Sequence, residues 1–170
     1  MVDLPGHHQY YFRMRYGLLV ILALGLALIQ HSWLSSWPLA PDLPLALLAW
    51  VVVDGTDKGV LIRAWIVGLM RDLVDPGSIY FHTAAYLLLA IAFLPARQLV
   101  FRTRAAGWAG FAAIASVLVA QIDRVISGGG DGGILGQMAT AMLTAVATFP
   151  LGWTLGFLPA PIHPAGKAGA

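Results

Sequence analysis

From Tyr16 to Ile29 no residue carries a charge, and the apolar run continues through Gln30 and His31 to Leu34. Five more predominantly apolar runs follow, at about residues 43–53, 60–73, 79–94, 108–126 and 134–158. Runs of this kind, repeated along so short a chain, constrain the fold more than any motif does. Only 11% of the 170 residues are charged and 59% are hydrophobic, with a mean hydropathy of +0.78. A soluble domain carries roughly 25% charged residues, so this chain could not cover its own surface in water. An ordinary soluble enzyme, a disordered regulator and a basic nucleic-acid binder are thereby excluded. The expectation is an all-α integral membrane protein with six transmembrane helices over residues 16–158. A cytoplasmic N-terminal segment (1–15) precedes them, and a disordered Pro/Gly/Ala-rich tail (159–170) follows.

The first run follows Arg13 and Arg15, the pattern of a signal peptide. Pro38 and Pro41 crowd the candidate cleavage region, so it reads as a retained helix. The second run is short. Eleven helical residues rise about 17 Å against a hydrocarbon core of about 30 Å. It is either a partial or re-entrant segment or a helix lengthened by its flanks. Asp75-Pro76-Gly77-Ser78 marks a turn before the fourth run, Pro95 and the basic stretch 97–104 end it, and Pro150 predicts a kink in the sixth.

Basic residues orient these runs. With a cytoplasmic N-terminus, Arg13, Arg15, Lys58, Arg63, Arg97, Arg102, Arg104 and Lys167 fall inside. Only Arg71 and Arg124 fall outside, each beside an aspartate. This is the sorting of the positive-inside rule for six spans, with both termini cytoplasmic.

Small residues recur every four positions in the sixth run, at Gly136, Thr140, Thr144 and Thr148, and in the fifth, at Ala112, Ser116 and Ala120. Such stripes let membrane helices approach closely, so the two helices are expected to pack on each other. Polar outliers gather where the runs meet the outer face: Gln30, His31, Arg71, Asp72, His82, Gln121, Asp123, Arg124 and Gln137. An ionisable group at that depth faces protein or water. Arg71 and Asp72 are adjacent and point about 100° apart on a helix. At least one is therefore expected to reach a neighbouring helix, with Asp72 to Arg124 the pair to test. Snorkelling to headgroups is the competing account.

No reactive constellation emerges, and the chain reads as no enzyme. Asp72 and Asp123 lack the local motifs of an intramembrane aspartyl protease. Ser78 and His82 have no GxSxG around them. The loop from Gly128 to Gly133 lacks the GK[ST] of a phosphate loop. There is no cysteine for a thiol, disulfide or cluster, and all eight acids are aspartate. His7-His8 reads as a solvated juxtamembrane pair. No metal or cofactor is expected. The net charge of +2 makes the basic pI a sign of scarce charge, not of a nucleic-acid surface.

The stretch from Val67 to Leu89 resembles the central signature of the MreD family, the rod shape-determining membrane proteins of bacteria. Gly68, Asp72, Leu73, Gly77 and His82 match its positions. Pro41-Asp42-Leu43 is similar to the start of the family's second helix, and Pro150 to a proline in its last. Arg71 and Asp75-Pro76 depart from the pattern. The resemblance implies a non-enzymatic scaffold in the bacterial inner membrane. It implies binding to the single-span protein MreC and work alongside MreB, RodA and a penicillin-binding transpeptidase in lateral peptidoglycan synthesis. It also implies a fold like the substrate-binding subunit of energy-coupling-factor transporters, and a small-molecule-binding transport subunit is accordingly the alternative reading. The outer polar cluster (Arg71, Asp72, His82, Asp123, Arg124, Gln137) is the expected partner-binding face.

Overall fold

A computed structural model describes residues 16–37, 39–54, 57–75, 80–100, 104–127 and 133–156. It contains six α-helices: α1 (Tyr16–Ile29), α2 (Leu43–Asp54), α3 (Asp57–Val74), α4 (Phe81–Val100), α5 (Arg104–Ser127) and α6 (Ile134–Gly156). A π-helical turn, Gln30–Leu34, extends α1. No strand occurs among the described residues. The segments 1–15 and 159–170, Gly77 and the centre of the glycine-rich loop lie outside them.

Three helical stretches are long and apolar enough to cross a membrane: Tyr16–Leu34, Gly107–Ile126 and Ile134–Leu155. Leu43–Val53 and Phe81–Pro95 are shorter apolar helices. The chain thus has the make-up of a membrane protein. In lipid the hydrophobic effect does not drive helices together, so close van der Waals packing and satisfied polar groups must hold them.

Consecutive helices reverse direction. The end of α1 meets the start of α2 through Gln30, the end of α3 meets the start of α4 through Asp72, and the end of α5 meets the start of α6 through Gln121. At the opposite side Tyr16 of α1 lies against Gly59 of α3, and Phe93 of α4 stacks edge-on against Phe111 of α5 with ring centroids 4.6 Å apart. Trp108 of α5 lies on Gly152 of α6 at this side too.

The short second run forms the centre of the bundle. Residues from Pro44 to Val52 of α2 are all buried, and α1, α3, α4, α5 and α6 all pack against it. Its 12 residues rise about 18 Å. It is apolar on every side because neighbours surround it, which explains a run with no amphipathic pattern.

Three helix bounds differ from the sequence reading by about a turn or more, among them the start of α5, which lies at Arg104 and not near residue 108. α4 does not stop at Pro95 but continues through it to Val100. A proline removes one backbone hydrogen bond, and a helix supported by neighbours carries that loss. α3 begins at Asp57, one turn ahead of the apolar residues, because a helix accepts polar residues in its first turn. Pro150 likewise lies inside α6.

The stripes of α5 and α6 are used unevenly. The two helices pack together, and Ala112, Ser116, Thr144 and Thr148 are buried while Ala120 and Thr140 are half-buried. Thr144 faces the start of α2, not only α5. Gly136 is no close-approach point: nothing lies within 4 Å of where its Cβ would stand. The tight crossing is between α3 and α4, at Gly68. A Cβ there would lie 2.6 Å from the Thr83 Cα and 2.8 Å from the His82 carbonyl oxygen. These are backbone atoms, which cannot swing aside.

Gly68→Ala is therefore expected to destabilise the detergent-purified protein by about 1–3 kcal/mol. Gly136→Ala should stay within about 0.5 kcal/mol of wild type. Thermal unfolding of the two variants side by side checks the contrast.

Candidate functional site

A helix leaves its first N–H groups without intrahelical partners. Water satisfies them at a surface, but inside a bilayer the protein must. α2 and α4 both begin among other helices, and an aspartate caps each of them.

At the start of α2, Asp42 occupies the N-cap. The Leu45 N–H donates to its Oδ1 at 3.0 Å, and the Ala46 N–H to its carbonyl oxygen at 3.0 Å. Pro44 has no N–H to satisfy. The remaining donor, Leu43 N–H, reaches the Gln30 Oε1 at 3.0 Å from the π-helical end of α1. The Asp42 N–H itself donates to the Thr144 Oγ1 of α6 at 2.8 Å, and that hydroxyl donates to the Thr140 carbonyl at 2.8 Å. The whole first turn of α2 is thus accounted for by α1, α6 and its own cap.

The Asp42 carboxylate is then neutralised from α3. The Arg71 guanidinium donates through Nη1 to Asp42 Oδ1, forming an ion pair whose partners are 18% and 14% exposed. The Tyr86 hydroxyl of α4, fully buried, lies 3.5 Å from the same oxygen.

At the start of α4 the cap comes from another helix. Asp72, one turn beyond Gly68 on α3, turns its carboxylate onto the first turn of α4. Its Oδ1 accepts the His82 N–H at 3.0 Å and lies 2.9 Å from His82 Nδ1. Its Oδ2 accepts the Thr83 N–H at 2.8 Å and the Thr83 hydroxyl at 2.6 Å. The Ala84 N–H is satisfied by the Tyr80 carbonyl at 3.1 Å. Tyr80 takes a positive φ of 59° at this corner, a conformation unusual for a side chain of its size. A carboxylate at a helix N-terminus also meets the positive end of the macrodipole. Gly68 makes the arrangement possible: only without a Cβ can α4 come close enough for Asp72 to reach two consecutive amides.

Arg71 and Asp72 both reach neighbouring helices, as their divergent directions require. The specific pair anticipated was wrong. Asp72 gives both oxygens to α4, and Arg71 goes to Asp42; neither builds the fold through Arg124. The reason is topological, since α3 packs on α1, α2 and α4, whereas Arg124 lies near the far end of α5.

The outer polar residues also do not form one ring. Gln121 donates to Gln137 at 2.8 Å near the end of α5 and start of α6, and Asp123 is exposed and Arg124 half-buried on that same end of α5. The Asp42 layer is level with Thr144, seven residues further along α6, hence about 10 Å deeper. Only Arg71, Asp72 and His82 of the expected cluster come together. Asp42, Thr83 and Tyr86 complete that layer; the sequence reading places none of them in the polar cluster, and Asp42 enters it only through Pro41-Asp42-Leu43. Asp42 did carry a signal: Asp followed by Leu-Pro is an N-cap with proline in the first turn.

Chemically the layer is a set of matched donors and acceptors. Among the described residues no group of three or more His, Cys, Asp or Glu side chains could hold a metal ion.

Arg71→Leu should cost about 3 kcal/mol or less, because it strands the part-buried Asp42 carboxylate. Adding Asp42→Asn, which keeps a capping oxygen but no charge, should recover part of that loss. A double-mutant cycle on thermal stability measures the coupling, and additive effects would contradict the pairing.

No protein-family model matches the chain, and no curated protein or solved structure is significantly similar to it.

Proposed function

We propose that this chain is a non-enzymatic, six-span scaffold subunit of the bacterial cell-elongation machinery in the inner membrane. In this reading it binds an MreC-like single-span protein and works indirectly with MreB, RodA and a penicillin-binding transpeptidase. Both termini lie in the cytoplasm, and the lateral wall is the process served.

One observation supports this above the others. Three of the five residues that carry the resemblance to the MreD family, Gly68, Asp72 and His82, form one mechanical device in the fold, the clasp between α3 and α4. A signature whose members cooperate physically is harder to reach by chance than one of scattered apolar positions. The ionisable groups beside it bond to one another, which suits a frame that presents surfaces and not a centre that transforms a substrate. The alternating directions of the helices and the sorting of the basic residues fit six spans, with the short α2 surrounded by the other helices.

The alternative, a small-molecule-binding transport subunit, draws on the convergence of Gln30, Asp42, Arg71, Tyr86 and Thr144 on one point. A ligand there would have to replace hydrogen bonds that already close the start of α2.

Co-purification with an MreC-like protein from detergent-solubilised membranes tests the scaffold reading. The expected result is a stable complex, with cells losing their rod shape when Asp72→Ala replaces the wild type. No complex together with normal rods would overturn it. The chain has no cysteine, so topology is testable separately by single-cysteine labelling. Ser35→Cys and Gly133→Cys should react from outside in intact cells, and Lys58→Cys and Lys167→Cys only after permeabilisation.

A further inference from the structure

At the side of the bundle opposite the capped helix starts, Arg63 has no counter-charge among the described residues. Arg63, in the second turn of α3, is only 6% exposed, and its buried Nε makes no hydrogen bond. Neither the Asp42–Arg71 nor the Asp72–His82 pair includes it. Its guanidinium carbon sits 5.8 Å from the centroid of the Tyr16 ring at the start of α1. A cation over an aromatic face is attracted to it, but the ring carries no net charge to neutralise the guanidinium.

Helical side chains lean toward the helix N-terminus, so Arg63 points back over Gly59 toward the end of the bundle. A Cβ on Gly59 would stand 3.6 Å from the Tyr16 hydroxyl and 3.7 Å from Arg63 Nε. Gly59 thus places no side chain between the Arg63 guanidinium and the Tyr16 hydroxyl. Arg63 lies six residues from the start of α3, about 9 Å along its axis, within reach of the membrane–water boundary at that end. A buried charge is tolerated when paired, and a guanidinium edge matches two phosphate oxygens at once.

We propose that Tyr16, Gly59 and Arg63 form a binding site for the phosphate group of an anionic phospholipid at the inner face. The site rests on the reading that α1 and α3 span the membrane. The Arg63 guanidinium pairs with the phosphate, the Tyr16 ring backs the guanidinium and its hydroxyl supplies a second donor. The acyl chains lie along α1, whose exposed Leu18 and Ile21 continue from the site.

The test is native mass spectrometry and thermal unfolding of the full chain from nanodiscs of phosphatidylcholine alone and of phosphatidylcholine with phosphatidylglycerol at 3:1. The wild type is expected to retain one phosphatidylglycerol in preference to phosphatidylcholine and to melt at higher temperature in the mixture. Arg63→Gln should lose both effects, and Arg63→Lys, which keeps the charge without the fork, should retain part of them. A wild type with no lipid preference would overturn the proposal even if Arg63→Gln fails to fold. So would an Arg63→Gln variant that responds like the wild type. Inorganic phosphate added to pure phosphatidylcholine discs is the third arm: full stabilisation there would assign the site to a free anion and overturn the lipid. Loss of insertion, read by cysteine labelling, would instead contradict the spanning reading on which the site rests.

Discussion

Two buried helix starts govern this fold. α2 and α4 begin inside the bundle, where their leading N–H groups have no water to bond. Each unmade bond would cost about 1–3 kcal/mol, and the contacts that remain in lipid are packing forces of modest size. Two aspartates meet the demand. Asp42 caps its own helix, Asp72 caps the next one from α3, and the rest of the polar layer follows from those choices. Arg71 is there because a capping carboxylate at depth needs a counter-charge. Gly68 is there because the trans cap needs a close crossing. Gln30 and Thr144 are there because α2 is too short to carry its first turn to the surface.

The same constraint connects structure to the proposed role. Capping in trans fixes the register of α3 on α4, and the Asp42–Arg71 pair fixes α2 on α3. Threads from α1 and α6 enter through single hydrogen bonds from Gln30 and Thr144. The result is a frame whose polar groups at the starts of α2 and α4 are engaged, leaving long apolar faces on α1, α5 and α6 outward. That is consistent with the proposed scaffold for a single-span partner.

Much of this was legible in the sequence, for identifiable reasons. Six apolar runs became six helices because hydrophobic run length is set by local composition. The need for Arg71 and Asp72 to reach neighbours followed from their 100° divergence. What the sequence could not supply was the partner of each. Asp72 to Arg124 is a reasonable charge pairing, but it ignores which helices touch, and the amides of His82 and Thr83 are invisible to a search for opposite charges. The depth of the layer was missed for a related reason: the ends of apolar runs were read as one plane, whereas α2 is shorter than α6. Gly136 and Gly68 look equivalent in a sequence, and only the crossing of α3 with α4 tells them apart.

Hydrogen exchange at individual amides tests this view most directly. In the wild type the His82 and Thr83 amides should be protected to a degree unusual for the first turn of a helix. In Asp72→Ala they should exchange at least about tenfold faster, a change of about 1.4 kcal/mol, while amides in the middle of α5 and α6 keep their rates. Unchanged protection at His82 and Thr83 would mean that Asp72 does not cap α4, and the polar layer would lose its role as the constraint on which the fold depends.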